Sequence, residues 1–409
     1  MRVESIALRR NAPDVVRALA AATERMGRPG PAALIGDWFG SRAVIAPSVP
    51  IAPVPVAEAF DAPTGAGEVV GGGWFGYLSY PDDGADGRPP RIPAAAGGWS
   101  DCVLRQDRDG NWWYESLSGA DLPDWLAEAL KLDAPHDDWL IDWKPADHDT
   151  HRQGVLACLE AIAAGEIYQA CVCTQFRGVM TGTPADFFAD AVARTAPAKA
   201  AFLAGDWGAV ASLSPELFLR RDGDTVTSSP IKGTLPLDHP PSELASSTKD
   251  VAENIMIVDL VRNDLSRVAR TGSVTVPELL AVQPAPGVWH LASTVQAQVD
   301  TAVPMREVLD ATFPPASVTG TPKSRARSLL SQWEPTRRGI YCGTIGLASP
   351  LAGAELNVAI RTVEFTADGI AVFGVGGGIT ADSDPEAEWQ ECLHKAAPTI
   401  GLSARRPVG

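Results

Sequence analysis

AVASLSPELFLRRDGDTVTSSPIKGT (residues 209–234) reads as a β-meander. Two strand-like runs, 209–214 and 217–221, lead through the turn Asp222-Gly223-Asp224 into a third at 225–228. The run ends on Pro230-Ile231-Lys232-Gly233-Thr234, which puts a lysine between a rigid residue and a flexible one at a strand end. The chain holds seven lysines against 27 arginines, so where plain positive charge suffices this composition uses arginine. Lysine alone of the two can lose its proton when desolvated and attack as a neutral amine. Lys232 is therefore the candidate nucleophile, although the pentapeptide by itself reads more readily as a surface lysine in a Pro/Gly turn.

On the N-terminal side, residues 1–120 read as short strands broken by Gly and Pro, clearest at 32–35, 41–47 and 68–80. A loop is expected over 81–93, a hairpin turn over 105–111, a helix over 121–131, and an internal boundary in the polar stretch 133–149. Residues 151–164 are helical by spacing, 167–176 read as a strand and 184–194 as a helix. On the C-terminal side come a helix over 247–264, another from 305, strands over 340–347, 356–365 and 370–375, a glycine run and a closing helix. The expected fold class is α+β, with large antiparallel sheets packed as a sandwich and helices outside. The expected division is a β-rich N-terminal portion, 1–147, and a catalytic region, 148–409, intertwined in one unit.

A formal charge of −16 with no basic run excludes a phosphate-neutralising nucleic-acid surface. No apolar run approaches the ~20 residues that span a bilayer, and the start lacks a secretion signal, so a cytoplasmic location is expected. Cys102, Cys158, Cys171, Cys173, Cys342 and Cys392 fit neither a disulfide framework nor a zinc pattern and are expected to be reduced.

Acidic residues recur at helical spacing. In the closing helix, capped by Asp384 with Pro385 at its first position, Glu388, Glu391 and Lys395 share one face. Asp250 and Glu253 share a face of the helix that begins near Ser247. Each group alone suits a solvated face or a helix dipole. If the two helices face one another, four carboxylates converge and would bind a hard divalent cation such as Mg²⁺. Gly376-Gly377-Gly378 is expected between a strand and the closing helix, as a turn or a place where backbone approaches an anion. Arg361, read within the strand 357–363, would need a carboxylate partner.

Taken together, GEIYQ (165–169), SLSPE (212–216), PIKGT (230–234), AENIMIVDLVRND (252–264), HLASTV (290–295), SVTGTPK (317–323), RGIYCGTIG (338–346), NVAIRT (357–362) and the segment 376–395 resemble the chorismate-utilising enzymes, in that family's order. The family includes the large subunits of anthranilate and aminodeoxychorismate synthases, with isochorismate and salicylate synthases as relatives. The first 145 residues match chiefly through GWFGY (73–77). The resemblance implies the anthranilate/aminodeoxychorismate synthase large-subunit fold. Relatives that add water carry a lysine where this chain has Gln169, and anthranilate synthases usually have alanine where it has Lys232. The pair implies amination of chorismate to 4-amino-4-deoxychorismate, a step toward 4-aminobenzoate and folate, by covalent attack of Lys232.

The same resemblance implies Glu216 as general acid, His290 as a further catalytic residue, and Mg²⁺ at Glu253 and Glu391 with Asp250 and Glu388 ligating or acting through water. It implies Gln169, Gly233, Thr234, Tyr341, Arg361, Gly376, Gly377, Gly378 and Lys395 as substrate contacts. A separate glutamine amidotransferase subunit would supply ammonia. Two departures stand out: Phe313-Pro314-Pro315-Ala316-Ser317 replaces the family's usual glycine pair, and Leu34-Ile35-Gly36-Asp37 stands where a tryptophan-binding motif is usual. The rival readings are an anthranilate synthase component I, a 2-amino-2-deoxyisochorismate synthase, and a noncatalytic chorismate-binding partner that regulates an amidotransferase.

Overall fold

The computed structural model describes residues 1–82, 88–132 and 137–402. Parts of the expected loop (83–87) and of the expected boundary (133–136) lie outside the described residues.

The 209–234 meander divides between two antiparallel sheets. Gly208–Ser214 lies in a sheet of twelve strands among the described residues, paired with Lys199–Gly205 and Thr362–Thr366. Leu217–Asp222 lies in a sheet of ten, paired with Thr225–Ser229 and Gly353–Val358. The chain therefore passes from one sheet to the other at Pro215-Glu216. A second crossing runs beside it in the opposite sense. The strand expected over 356–365 is in fact two, Gly353–Val358 in the smaller sheet and Thr362–Thr366 in the larger. Arg361 sits between them with φ +51°, a left-handed conformation that breaks a strand. Cross-links tie the crossings together: Leu213 N–H donates to Arg361 O (2.9 Å), Val358 N–H to Glu216 O (3.0 Å), and Ser214 Oγ to Val358 O (2.6 Å).

Alternation of apolar residues decides which faces meet. Leu34, Val44, Leu203 and Val210 of the larger sheet pack against Phe75, Tyr77, Ile345 and Leu347 of the smaller, forming the core between the sheets. The outer face of the larger sheet is covered by helices Ala12–Arg25, Pro184–Thr195 and Pro385–Ile400, and that of the smaller by Thr248–Ser266 and Met305–Thr312. Helix Ala12–Arg25 corrects the all-strand reading of the N-terminal stretch. Asn11 caps it by accepting from Asp14 N–H (2.8 Å), and Val15, Val16, Leu19 and Ala22 bury one face. No helix among the described residues is long and apolar enough to cross a membrane.

Two further readings change. Gly376, Gly377 and Gly378 lie inside the strand Ile370–Ile379, paired with Cys173, Val172 and Cys171 of Gln169–Thr181, and form no turn. The expected strand 340–347 begins only at Thr344, because Cys342 takes φ +66°.

Below the glycine strand, Arg338 is buried and its side chain makes four hydrogen bonds. It donates bidentately to Glu334 (2.8 and 2.7 Å), to Val318 O (2.9 Å) and to Cys171 O (2.6 Å). Removing one partner of a buried charge pair strands the other. We expect Arg338→Met to lower unfolding free energy by about 3–5 kcal/mol, read by denaturant titration, because Glu334 and two carbonyls lose their donor together.

Candidate active site

The paired crossings hold two of the expected functional groups. Glu216 is buried, and Ser317 Oγ donates to its Oε1 at 2.7 Å. Burial pushes its carboxyl up to about 7, against the hydrogen bond from Ser317 and the charges of Lys232 and Arg361. A carboxyl so tuned still holds a proton near neutrality, as a general acid must. Arg361 feels the charge of Glu216 through space without a hydrogen bond to it, so the carboxylate partner expected for this arginine does not sit in its fork. A cavity of about 170 Å³ opens here, lined by Pro215, Ile231, His290, Ala292, Arg361 and Thr399 among others.

The strand Ile231–Pro236 carries Lys232 past this cavity. Its pairing with Val288–Gln298 shifts register between Ile231 and Thr234, which frees Lys232 and Gly233 from the ladder. Gly233 has φ +83°, and a Cβ there would lie 3.0 Å from Asp250 Cβ, so this position needs glycine twice over. Across the register, Thr234 Oγ1 and Nδ1 of the buried His290 share a hydrogen bond of 3.0 Å. Burial, helped by Arg361, lowers His290 to about 4, so its ring is neutral at physiological pH.

The glycine strand is where the helices meet. Thr362–Thr366 pairs with Ile370–Ile379 only as far as Phe373, so the outer edge of Gly374–Ile379 lies open beyond that pairing. With no side chains of their own, these glycines let functional groups close over the backbone. A Cβ built on Gly378 would lie 3.3 Å from Lys232 Nζ, 3.4 Å from Glu253 Oε2 and 3.7 Å from Gln169 Oε1. One built on Gly377 would lie 2.8 Å from Glu388 Oε2, 3.9 Å from Glu391 Oε1 and 4.0 Å from Lys395 Nζ. Lys395 also donates to Gly376 O (3.0 Å) and pairs with Glu391 (2.6 Å). The two acidic helices thus face one site across the glycine strand.

Charge balance inside the cluster is uneven. Burial raises Glu253, opposed by Lys232 and Lys249 and reinforced by Asp250 and Glu391. Burial works against Glu391 as well, yet Lys395, Lys249 and Lys232 hold it below the usual carboxylate range. Asp250 accepts from Ser247 Oγ at 2.5 Å. Glu388 is buried; its Oε1 accepts from Ser383 Oγ (2.7 Å) and Lys249 Nζ (3.2 Å), while Oε2 has no hydrogen-bond partner among the described residues. Hard oxygen donors and an unpaired buried carboxylate oxygen fit Mg²⁺, which is commonly bound through one or two carboxylates plus water and substrate. Among the described residues no set of three or more such side chains forms a ready-made cage.

Of the residues expected from sequence, Lys232, Gln169, Glu253, Glu388, Glu391, Lys395 and the three glycines meet at the strand edge, with Asp250 beside Gly233. Glu216, Arg361, His290 and Thr234 gather at the adjoining crossing. Tyr341 is buried against Gly374, with Cys171, Cys173 and Cys342 around it, so it reaches the strand from the thiol side. Two further groups belong to the site. Ser317 carries no sequence signal of its own, and Lys249 carries a faint one, since lysine is rare here and Lys249 adjoins Asp250.

Comparison with known proteins follows the same lines. Residues 51–401 match the chorismate binding enzyme family. The Escherichia coli aminodeoxychorismate synthase component 1 is 39% identical over 272 residues, covering 64% of this chain and 60% of that protein. A Streptomyces pristinaespiralis aminodeoxychorismate synthase is 35% identical over 382 residues, covering 82% of this chain and 51% of that protein. The chain thus spans between about half and three-fifths of these relatives' length. Anthranilate synthase component I of Streptococcus pneumoniae superposes with TM-score 0.73 at 26% identity over 84% of each chain. The menaquinone-specific isochorismate synthase of Escherichia coli shares the fold, with TM-score 0.72 at 18% identity over 98% of this chain and 94% of that one.

Proposed function

The chain belongs to the chorismate binding enzymes, and from that premise we propose that it aminates chorismate at C4, giving 4-amino-4-deoxychorismate with ammonia from a glutamine amidotransferase partner. The observation that carries this reading is the meeting of Lys232 Nζ, Gln169 Oε1 and Glu253 Oε2 over Gly378, with the protonatable Glu216 nearby.

Chorismate's C4 hydroxyl is a poor leaving group, and covalent catalysis divides its replacement into two easier displacements. In the first, neutral Lys232 forms a bond to C2, the ring double bonds shift, and the C4–O bond breaks as Glu216 gives its proton to the departing oxygen, releasing water. In the second, ammonia bonds to C4, the double bonds shift back and Lys232 leaves C2. The carboxylate of Glu216 is then left to recover a proton. Gln169 supplies an amide in place of a base, so it can orient a nitrogen nucleophile without activating water. Arg361, whose fork no carboxylate fills among the described residues, would hold the enolpyruvyl carboxylate with Tyr341 and the amides of Gly377 and Gly378. Lys395 would assist at the ring carboxylate, and Thr234 would keep neutral His290 in place. Glu253 and Glu391, with Asp250 and Glu388 ligating or acting through water, would hold Mg²⁺, whose chemistry is to bind and polarise the ring carboxylate.

The test is chromatography with mass detection after incubation with chorismate, magnesium and an ammonium salt. The expected product keeps its enolpyruvyl group and becomes 4-aminobenzoate when a lyase is added. Anthranilate and pyruvate would instead assign the chain to the tryptophan-type branch.

A further inference from the structure

Three of the chain's seven lysines, Lys232, Lys249 and Lys395, stand around one acidic cluster, and only two of them have work in the reaction proposed above. Lys249 lies in the first turn of Thr248–Ser266, with its ammonium reaching across to Glu388 Oε1 at 3.2 Å on the facing helix. Its other charged neighbours are Glu253 on its own helix and Glu391 on the facing one. The contact is asymmetric: the Lys249 side chain is 50% exposed, whereas that of Glu388 is 3% exposed.

Formal charge sets the problem that this lysine answers. Asp250, Glu253, Glu388 and Glu391 bring four negative charges toward one strand edge, where desolvation strengthens their mutual repulsion. Lys395 is fixed by two contacts, to Glu391 and Gly376 O. Lys232 is reserved for the substrate in the reaction proposed above. Lys249 has one ion-pair contact, a flexible stem and an open path to solvent, so it can leave without breaking the fold. The unpartnered, buried Oε2 of Glu388 marks the place beside it where a cation would gain most.

We propose that Lys249 is a built-in counter-ion that occupies the carboxylate cluster when no divalent cation is bound and is displaced when one enters, thereby setting the cluster's cation affinity. This rests on the reading that the cluster takes a divalent cation. The lysine keeps the helices together in the metal-free protein, and the cost is weaker cation binding, because each cation must first outcompete it. Removing the charge should therefore tighten binding, the reverse of the usual effect of mutating a site.

Calorimetric titration of the full chain with Mg²⁺, and electron paramagnetic resonance with Mn²⁺, both without chorismate, test this. Lys249→Met and Lys249→Gln should each bind about tenfold more tightly than the unmutated chain, while Lys249→Arg, which keeps the charge, should stay near it. Glu388→Gln serves as the control that weakens binding. If the unmutated chain binds the cation and the Met and Gln variants bind no more tightly, the counter-ion role is overturned while the cation reading stands. If neither the unmutated chain nor any variant binds a divalent cation, both are overturned.

Discussion

Lys232→Ala abolishes amination: the rate with chorismate and ammonium falls by on the order of 10³-fold or more, and no covalent intermediate forms. The substitution should leave the fold intact, because Lys232 is only partly buried and the register shift at Ile231 to Thr234 already excludes it from the ladder. A simpler explanation for lost activity would be lost charge, since the Lys232 ammonium steadies Glu216, Glu253 and Glu391. Lys232→Arg separates the two. It restores a positive charge but cannot deprotonate to a nucleophile, so it should be as inactive as the alanine variant. Substantial activity in the arginine variant would reassign Lys232 to an electrostatic role.

Glu216→Gln gives a paired result, in which catalysis falls while stability rises. Without a proton to give, the first displacement should slow by about 10²–10⁴-fold. Stability moves the other way. The Glu216 carboxyl titrates at about 7 in the folded chain because burial disfavours its charge, whereas unfolded it would return to the ordinary range. The folded state therefore binds the extra proton between those values, and the stability it confers is present below the unfolded pKa and is lost as pH rises toward 7. A neutral glutamine of the same shape, still able to accept from Ser317, escapes that loss. At pH 8 the variant should be more stable by about 3 kcal/mol, the difference shrinking to nothing near pH 4. Unfolding curves at the two pH values check this. A variant equally destabilised at both would mean that the ionised carboxylate is held by contacts stronger than its burial cost.

Much of this site is legible in the sequence because its parts are local. The spacing of Glu388, Glu391 and Lys395 puts them on one helical face, and that face is where they are found. The acidic pair Asp250 and Glu253 is equally plain. What spacing cannot supply is the meeting of the two faces, which depends on a strand edge left open where Thr362–Thr366 stops pairing. The glycine run suggests a turn by composition, yet Gly377 and Gly378 lie within a strand, where a Cβ would crowd the ends of Glu388 and Lys232. The run at 356–365 is apolar enough to read as one strand, yet its alternation changes phase, from Leu356, Val358 and Ile360 to Val363 and Phe365, at the crossing where Arg361 takes a positive φ. The same crossing explains why Arg361 and Glu216, 145 residues apart in sequence, come close enough to feel one another's charge. The N-terminal helix does carry the 3.6-residue spacing, in Val15, Val16, Leu19 and Ala22 behind the Asn11 cap, and only the strand-rich text around it favours a strand reading there.

The account stands or falls on a bond between Lys232 and the substrate ring. The most direct measurement is intact-protein mass spectrometry of the unmutated chain, incubated with chorismate and magnesium without ammonia, followed by peptide mapping. The account predicts a mass increase equal to chorismate less one water, located on the peptide that contains Lys232 and lost when ammonia is added. Amination that proceeds at full rate on adding ammonia, with no such increment found beforehand or during turnover, would contradict it.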